Sequence, residues 1–371
     1  MKKINLIISG GGTAGHIYPA LTIAQIMQQK APEINPVFVG STRALEKKIM
    51  EHHKANFIPL KIEGLKGKGI KTFRSLLILP YAFFKCLMIL IKFRPKLVIG
   101  VGGYSSGPIV LLAAFLKIPT MIMEQNVKPG FTNKLLIPWI KKAVVAFESS
   151  LPYFKNKAVF LGNPVRSEFY NLTPKQRNNN LTLLIFGGSQ GSLLLNKSMT
   201  EALPLLLDNR ESLKIYHQTG ENDWQWVKKS YEDMEFSQAK VAPYFYNMAD
   251  YFQKSDLIIC RAGATTIAEL IAAQKASLLI PFAKASDNHQ VLNAKEVEKM
   301  GGADIIFENE LTPQKLADRI LYFIKNQERI DQMEENLAIL KTKNVAEKIS
   351  ELCFELMDRR KRRSSSSEKI I

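Results

Sequence analysis

Ile4-Asn5-Leu6-Ile7-Ile8-Ser9-Gly10-Gly11-Gly12-Thr13-Ala14-Gly15-His16 opens the chain, and Leu181-Thr182-Leu183-Leu184-Ile185-Phe186-Gly187-Gly188-Ser189-Gln190-Gly191 repeats its plan in the second half. Each begins as an apolar strand and runs into glycines that let the backbone turn tightly and approach a phosphate. Each then opens a helix whose free N–H groups favour anions. Two such units in one chain predict twin nucleotide-type domains with a ligand site between them.

The rest of the chain agrees with that plan. In the first half, strands are expected at 36–39, 57–60, 97–100, 120–123 and 143–146, with helices at 19–30 and 44–53. In the second half, strands are expected at 181–186, 214–218, 240–242, 257–260, 277–280 and 303–307, with helices in the gaps. Strands alternating with helices imply parallel, doubly wound α/β sheets. The turn formers in Leu161-Gly162-Asn163-Pro164-Val165-Arg166 mark the hinge, giving domains at 1–163 and 164–344. Beyond Leu311 the chain reads as mainly helical. Its end, Arg359-Arg360-Lys361-Arg362-Arg363-Ser364-Ser365-Ser366-Ser367, is basic and serine-rich and has little apolar area to bury. Residues 358–371 are therefore expected to be a disordered tail.

At 371 residues, with 46% hydrophobic content, the chain is long enough for two cores. Lys and Arg outnumber Asp and Glu by 51 to 34, a formal charge of +17 that suits an anionic partner. No nucleic-acid motif accompanies the charge, so no nucleic-acid partner is expected. Cys86, Cys260 and Cys353 are too few and too scattered for a disulfide framework or a structural zinc site, and a reducing cytosol fits them best. The five histidines lack the three- or four-residue spacing of a metal-binding helix, so no metal is expected. The apolar run after Met1-Lys2-Lys3 ends in glycines too early for a secretion signal and is taken as the first strand.

The G-x-G-x-x-G of residues 10–15 raises a dinucleotide reading. That reading also requires an acid at the end of the next strand, where this chain has Val39-Gly40-Ser41-Thr42. His16, at the start of a helix, titrates near neutrality as a type and could take a proton from an alcohol; it could equally be a capping or core histidine. Gly100-Val101-Gly102-Gly103-Tyr104 can bring amides to a pyrophosphate. Glu124, at a predicted strand end, is a candidate base, an orienting partner for His16, or a loop hydrogen-bonder. Arg261-Ala262-Gly263-Ala264-Thr265-Thr266-Ile267-Ala268-Glu269 joins a strand to a helix whose N-terminus can hold a diphosphate, with Glu269 placed for ribose hydroxyls; Arg261 and Glu269 could instead form a surface pair. Asp287-Asn288-His289-Gln290 offers amides to sugar hydroxyls. The basic stretch 66–74 and the apolar stretch 75–91, broken by Pro80 and Lys85, suit an anionic bilayer surface, or else a buried helix with a basic rim.

Taken together, the glycine turns at 10–16, 100–104 and 187–191, Glu124-Gln125-Asn126, Gly162-Asn163-Pro164-Val165-Arg166 and residues 261–269 resemble the MurG family of bacterial cell-wall glycosyltransferases, from about Ile4 to Leu352. The resemblance implies the GT-B fold, two Rossmann-like domains facing a cleft. The first would take the lipid acceptor, the second UDP-N-acetylglucosamine, and a C-terminal helix at about 345–357 would cross back to the first. It implies transfer of N-acetylglucosamine to undecaprenyl-pyrophosphoryl-muramoyl-pentapeptide, lipid I, without a cofactor, by a peripheral protein at the cytoplasmic face of the inner membrane. Donor contacts would fall on Thr13, Ala14, Gly15, Asn126, Arg166, Ser189, Phe245, Ala264, Thr265, Thr266, Ile267, Ala268, Glu269 and Gln290, with uracil near Phe245. Tyr104, Gln190 and Arg261, in the same motifs, would be further substrate contacts, and His16 and Glu124 would be catalytic. The chain departs from the family pattern at Ala14, usually glycine, and at Met123, usually histidine. Methionine cannot titrate, which shifts weight to His16. Three rivals follow: a GT-B enzyme with another acceptor, a sugar-nucleotide- or NAD-binding protein without transferase activity, and a nucleic-acid binder.

Overall fold

The computed structural model describes residues 3–11, 14–61, 71–173, 180–340 and 344–367, excluding the side chains of 14, 45, 71–79, 286 and 359–367. It divides into two compact units. One is formed by the chain up to Arg166 together with the stretch from Asn344 onward, the other by Ser167–Lys343.

In the first unit, β1 (Ile4–Gly10), α1 (Ala14–Lys30), β2 (Ile34–Gly40), α2 (Ala44–His52) and β3 (Phe57–Pro59) precede α3 (Lys71–Phe93), β4 (Leu97–Gly102), α4 (Ser106–Phe115), β5 (Thr120–Glu124), α5 (Phe131–Leu136), β6 (Lys142–Val145) and β7 (Ala158–Phe160). The seven strands lie in the order β3-β2-β1-β4-β5-β6-β7, with every pairing parallel. Strand alternation sends successive side chains to opposite faces. Leu6 and Ile8 enter a core with Ile17, Ala20, Ile23 and Met27 of α1, whereas Ile7 enters a second core with Cys86, Ile89 and Leu90 of α3 and Ile109 and Val110 of α4. Such two-sided burial explains why these strands read as continuous apolar runs rather than alternating ones.

The second unit runs β8 (Leu181–Phe186), α6 (Leu193–Ala202), β9 (Leu213–Gln218), α7 (Trp224–Asp233), β10 (Ala239–Ala242), α8 (Met248–Lys254), β11 (Leu257–Cys260), α9 (Ala264–Ala273), β12 (Ser277–Leu279), α10 (His289–Lys299), β13 (Ala303–Ile305), α11 (Pro313–Lys325) and α12 (Gln327–Leu340). Its six strands are ordered β10-β9-β8-β11-β12-β13, again all parallel. On one face Leu183 and Ile185 pack with Leu195 and Met199 of α6 and Ile320 and Phe323 of α11. On the other, Phe186, Phe252 and Phe169 form a chain of ring contacts.

The last helix, α13 (Val345–Ser367), belongs to the first unit. Val345, Ile349, Cys353, Leu356 and Met357 join the core of β1 and α1, and Lys30 pairs with Glu351 at 3.0 Å. The basic stretch expected to be disordered is helical in its backbone through Ser367. Arg and Lys are good helix formers, and extending an existing helix avoids the cost of nucleation. Residues 368–371 lie outside the described residues.

Candidate functional site

In open parallel sheets, ligands bind beyond the carboxyl ends of the strands where the strand order reverses. The first unit reverses between β1 and β4, and the second between β8 and β11. The segments leaving those strands begin at Gly11, Gly103, Gly187 and Arg261, so the topology singles out glycine motifs already prominent in the sequence.

In the first unit the β1 and β4 loops interlock, Gly11 N–H donating to the Gly102 carbonyl at 3.3 Å. Beneath them Ser9 Oγ donates to the carbonyls of Val39 and Ser105 at 3.0 and 3.1 Å. Thr13 lies outside the described residues, as does the Ala14 side chain. α1 begins at Ala14, ahead of the expected start at 19, with Pro19 inside it. Gly15 and His16 thus stand in its first turn, and Pro19 has no N–H to give the Gly15 carbonyl. The His16 ring rests against Gly102. Tyr104, 40% exposed, projects beside the amino end of α4.

Glu124 is buried at the end of β5. One carboxylate oxygen accepts from Asn126 N and Nδ2 at 3.0 and 3.1 Å, and the other from Gly130 N and Asn133 Nδ2 at 2.9 and 2.8 Å. With both oxygens engaged by these donors, Glu124 shapes the loop after β5. Burial pushes its carboxyl up from the ordinary carboxylate range, and the four donors pull it partly back. Asn126 is held by the same carboxylate. Met123 is fully buried in the α1–α13 core, so strand alternation turns its side chain away from the loop. Arg166 places its guanidinium 5.1 Å from the Tyr18 ring centroid.

In the second unit, Ser189 and Gln190 are exposed on the loop after β8. Ser192 caps α6 by accepting from Leu195 N–H, and Arg261 Nη2 donates to the same hydroxyl at 2.7 Å. Arg261 is largely consumed by the protein: it pairs with Glu308 at 2.6 Å and donates to the Ile280 carbonyl at 3.1 Å. The surface pair considered with Glu269 is thus replaced by a buried pair with Glu308, and Arg261 braces the loop. At the amino end of α9, the N-cap is Gly263, which has no side chain of its own to cap the helix. Ala264, Thr265, Thr266, Ala268 and Glu269 are half-buried there, whereas the Ile267 side chain is in the core and can offer a ligand only its backbone. Gln290 Oε1 accepts from Phe282 N–H at 2.9 Å. The Phe245 ring is buried, stacked on Tyr251 with centroids 3.9 Å apart. Its backbone, rather than its ring, is what that turn presents. Asn133, Glu308, Asn196, His217 and Gln218 escaped the sequence reading because each acts through long-range partners and lies in no local motif.

The comparisons with known proteins cover both units. The glycosyltransferase family 28 N-terminal domain matches residues 6–145, and the glycosyltransferase family 28 C-terminal domain matches 182–349. The chain is 39% identical over 358 residues to the UDP-N-acetylglucosamine--N-acetylmuramyl-(pentapeptide) pyrophosphoryl-undecaprenol N-acetylglucosamine transferase of Myxococcus xanthus, covering 95% of this chain and 93% of that one. It is also 39% identical to the transferase of the same name from Syntrophus aciditrophicus, covering 95% and 99% of the two chains. The crystal structure of Acinetobacter baumannii MurG superposes with a TM-score of 0.77 at 28% identity, over 95% of this chain and 99% of that one. The chain therefore belongs to glycosyltransferase family 28, among the MurG N-acetylglucosamine transferases of GT-B fold.

Proposed function

We propose that the chain transfers N-acetylglucosamine from UDP-N-acetylglucosamine to the C4 hydroxyl of the muramoyl sugar in undecaprenyl-pyrophosphoryl-muramoyl-pentapeptide, converting lipid I to lipid II for cell-wall biogenesis. The carrying observation is the end-to-end likeness, over 95% of the chain, to relatives bearing that name. In this reading the second unit takes the donor and the first the acceptor. The acceptor oxygen attacks the anomeric carbon with inversion, the bond from that carbon to the diphosphate oxygen breaks, and its electron pair leaves with UDP. His16 accepts the hydroxyl proton, a role supported by its place at the β1–β4 reversal. Negative charge growing on the diphosphate meets the N-terminus of α9, which begins after Gly263, and the amides of the loop after β8. These are preorganised donors that would serve without a metal ion. Glu269 and Gln290 would address sugar hydroxyls, and the Phe245 backbone the uracil.

The acceptor's lipid places the enzyme at a membrane, and we assign that contact to the first unit on the cytoplasmic face. No helix among the described residues is long and apolar enough to cross a bilayer. Tyr81, Phe84, Met88 and Ile91 recur on one face of α3 and are about half exposed or more, while Ala82, Cys86, Ile89 and Leu90 are buried behind them. Phe115 and Trp139 are exposed and in ring contact at 4.9 Å. Lys92, Arg94, Lys117 and Lys134 lie on these or adjoining segments, a pairing of apolar and basic groups that suits an anionic bilayer surface. Of the basic stretch 66–74, residues 66–70 and the side chains of 71–74 lie outside the described residues.

The test is to incubate the purified protein with UDP-N-acetylglucosamine and lipid I in excess EDTA, measuring UDP and disaccharide-lipid together. Formation of both supports donor, acceptor and metal independence at once. UDP release with another acceptor only would reassign the pathway, and dependence on added divalent cation would overturn the metal-free step.

A further inference from the structure

β9 ends in His217-Gln218, two buried side chains that strand alternation sends to opposite faces of the sheet. His217 bonds to Asn196 of α6 and Tyr231 of α7, whereas Gln218 ties down loops belonging to other strands.

Gln218 Nε2 donates to the Gly188 carbonyl at 3.0 Å, and its Oε1 accepts from Phe245 N–H at 2.8 Å. Only one orientation of the amide satisfies both, because exchanging oxygen and nitrogen would set donor against donor and acceptor against acceptor. Gly188 lies on the loop after β8 and Phe245 on the loop after β10, so one side chain sets the spacing of loops on both neighbours of its own strand. Backbone bonds close the same cluster: Thr219 N–H donates to Ala242 O and Gly220 N–H to Pro243 O, each at 3.1 Å. On the opposite face, Asn196 Nδ2 donates to Thr219 O at 2.9 Å and to Asp223 Oδ2 at 2.7 Å. Asn196 Oδ1 therefore acts as acceptor, which places the His217 proton on Nε2 at 3.1 Å and leaves Nδ1 to accept from the Tyr231 hydroxyl.

We propose that Gln218 is a positioning residue for the donor nucleotide, holding the loop after β8 and the turn at Phe245 in one register so that both meet the same ligand. The inference rests on the donor assignment made above. Ser189 and Gln190 directly follow Gly188 and are exposed, while the Phe245 ring is locked on Tyr251, so the placement of those two side chains and of the Phe245 carbonyl depends on the bonds that Gln218 makes. Gln218 touches neither the reacting carbon nor the acceptor, so its loss is read first in donor affinity, and in kcat only through the loop amides that meet the departing diphosphate.

The test uses the full chain, with UDP as probe, in wild type, Gln218→Met, Gln218→Glu and a remote control, Gln253→Ala. Methionine keeps the volume and loses both bonds; glutamate keeps the acceptor for Phe245 and sets a carboxylate against the Gly188 carbonyl. Calorimetric UDP binding and steady-state kinetics are read beside circular-dichroism melting. Both Gln218 variants are expected to fold and to weaken UDP binding and raise KM for the donor by about tenfold or more, with KM for the acceptor within about twofold. Gln253→Ala is expected to match wild type. Wild-type UDP affinity in a folded Gln218→Met protein overturns the inference. So does a fall in kcat with donor KM unchanged, or failure of both variants to fold. Failure of the wild type itself to bind UDP instead overturns the donor assignment.

Discussion

The imidazole of His16 rests on Gly102: a β-carbon built there would stand 2.7 Å from the ring's Cε1 and 2.9 Å from Nδ1, at a φ of +100° that side-chain-bearing residues rarely adopt. The first helical turn of α1 and the last residue of β4 thus define where the candidate base sits. His16→Ala is expected to lower kcat by about 10²–10⁴-fold with UDP affinity unchanged. Gly102→Ala is expected to shift the ring and lower kcat by roughly 10²-fold, again without weakening UDP binding. Normal turnover in His16→Ala would remove it as the base.

Glu124 ties the loop after β5 to α5 through four N–H donors, and replacing one oxygen by an amide turns at least one of those contacts donor against donor. Glu124→Gln is expected to cost about 1–3 kcal/mol in urea unfolding. Because burial raises the folded-state pKa, the folded protein binds this proton more tightly than the unfolded chain. Its stabilising contribution is complete below the ordinary carboxylate range and is lost as pH rises through the raised value, so the advantage of wild type over the variant should narrow in that direction. A gap that widens with pH would contradict the assigned direction.

Arg261 and Glu308 form a pair whose side chains are only 11% and 14% exposed. Removing one partner leaves the other charge in a poorly solvated site, so Glu308→Ala is expected to destabilise by about 3–5 kcal/mol. The Arg261→Met/Glu308→Leu double variant should recover part of that loss. A double-mutant cycle with a coupling near zero would show that the pair is not what holds Arg261 on Ser192.

His217 is held neutral by burial, its pKa pushed down to about 3. The unfolded chain takes up this proton near pH 6.5, so the contribution to stability is complete above that pH and declines below it, by up to about 1.4 kcal/mol per pH unit, until the folded value is reached. Unfolding measured between pH 7 and 4 should show this slope in wild type and lose it in His217→Gln. An unchanged slope would mean that other groups control acid unfolding.

The exposed α3 face predicts a separable defect. Phe84→Glu with Trp139→Glu is expected to reduce sedimentation with anionic phospholipid vesicles by about tenfold, since each substitution replaces an exposed apolar side chain with a charge that the anionic surface repels. UDP binding should remain at wild-type strength. Retained sedimentation would place the membrane contact elsewhere on the chain.

Several parts of this architecture were open to inspection before any coordinates. Ile4–Ile8 and Leu181–Phe186 are apolar at every or nearly every position because both faces of a parallel strand are covered, and the glycines that follow them mark the turns at each sheet's reversal point. The start of α1 was less legible: Pro19 looks like a first helical position, yet the helix begins at Ala14 and tolerates the proline. The end of α13 was misjudged for a related reason, since the basic composition of 359–363 suggests a solvated tail but is compatible with continuing a helix already nucleated by packed residues.

By itself, the sequence determined the twin α/β units, the glycine turns and the family, because these depend on short-range patterns of apolar residues and backbone freedom. Tertiary structure alone decided what individual polar side chains do. Glu124 is a loop brace because Asn133 and Gly130 converge on it, Arg261 serves Ser192 because Glu308 reaches it from beyond β13, and Phe245 offers backbone because Tyr251 takes its ring. A buried polar group is assigned by whichever donors and acceptors surround it, and those partners come from distant parts of the chain that only folding brings together.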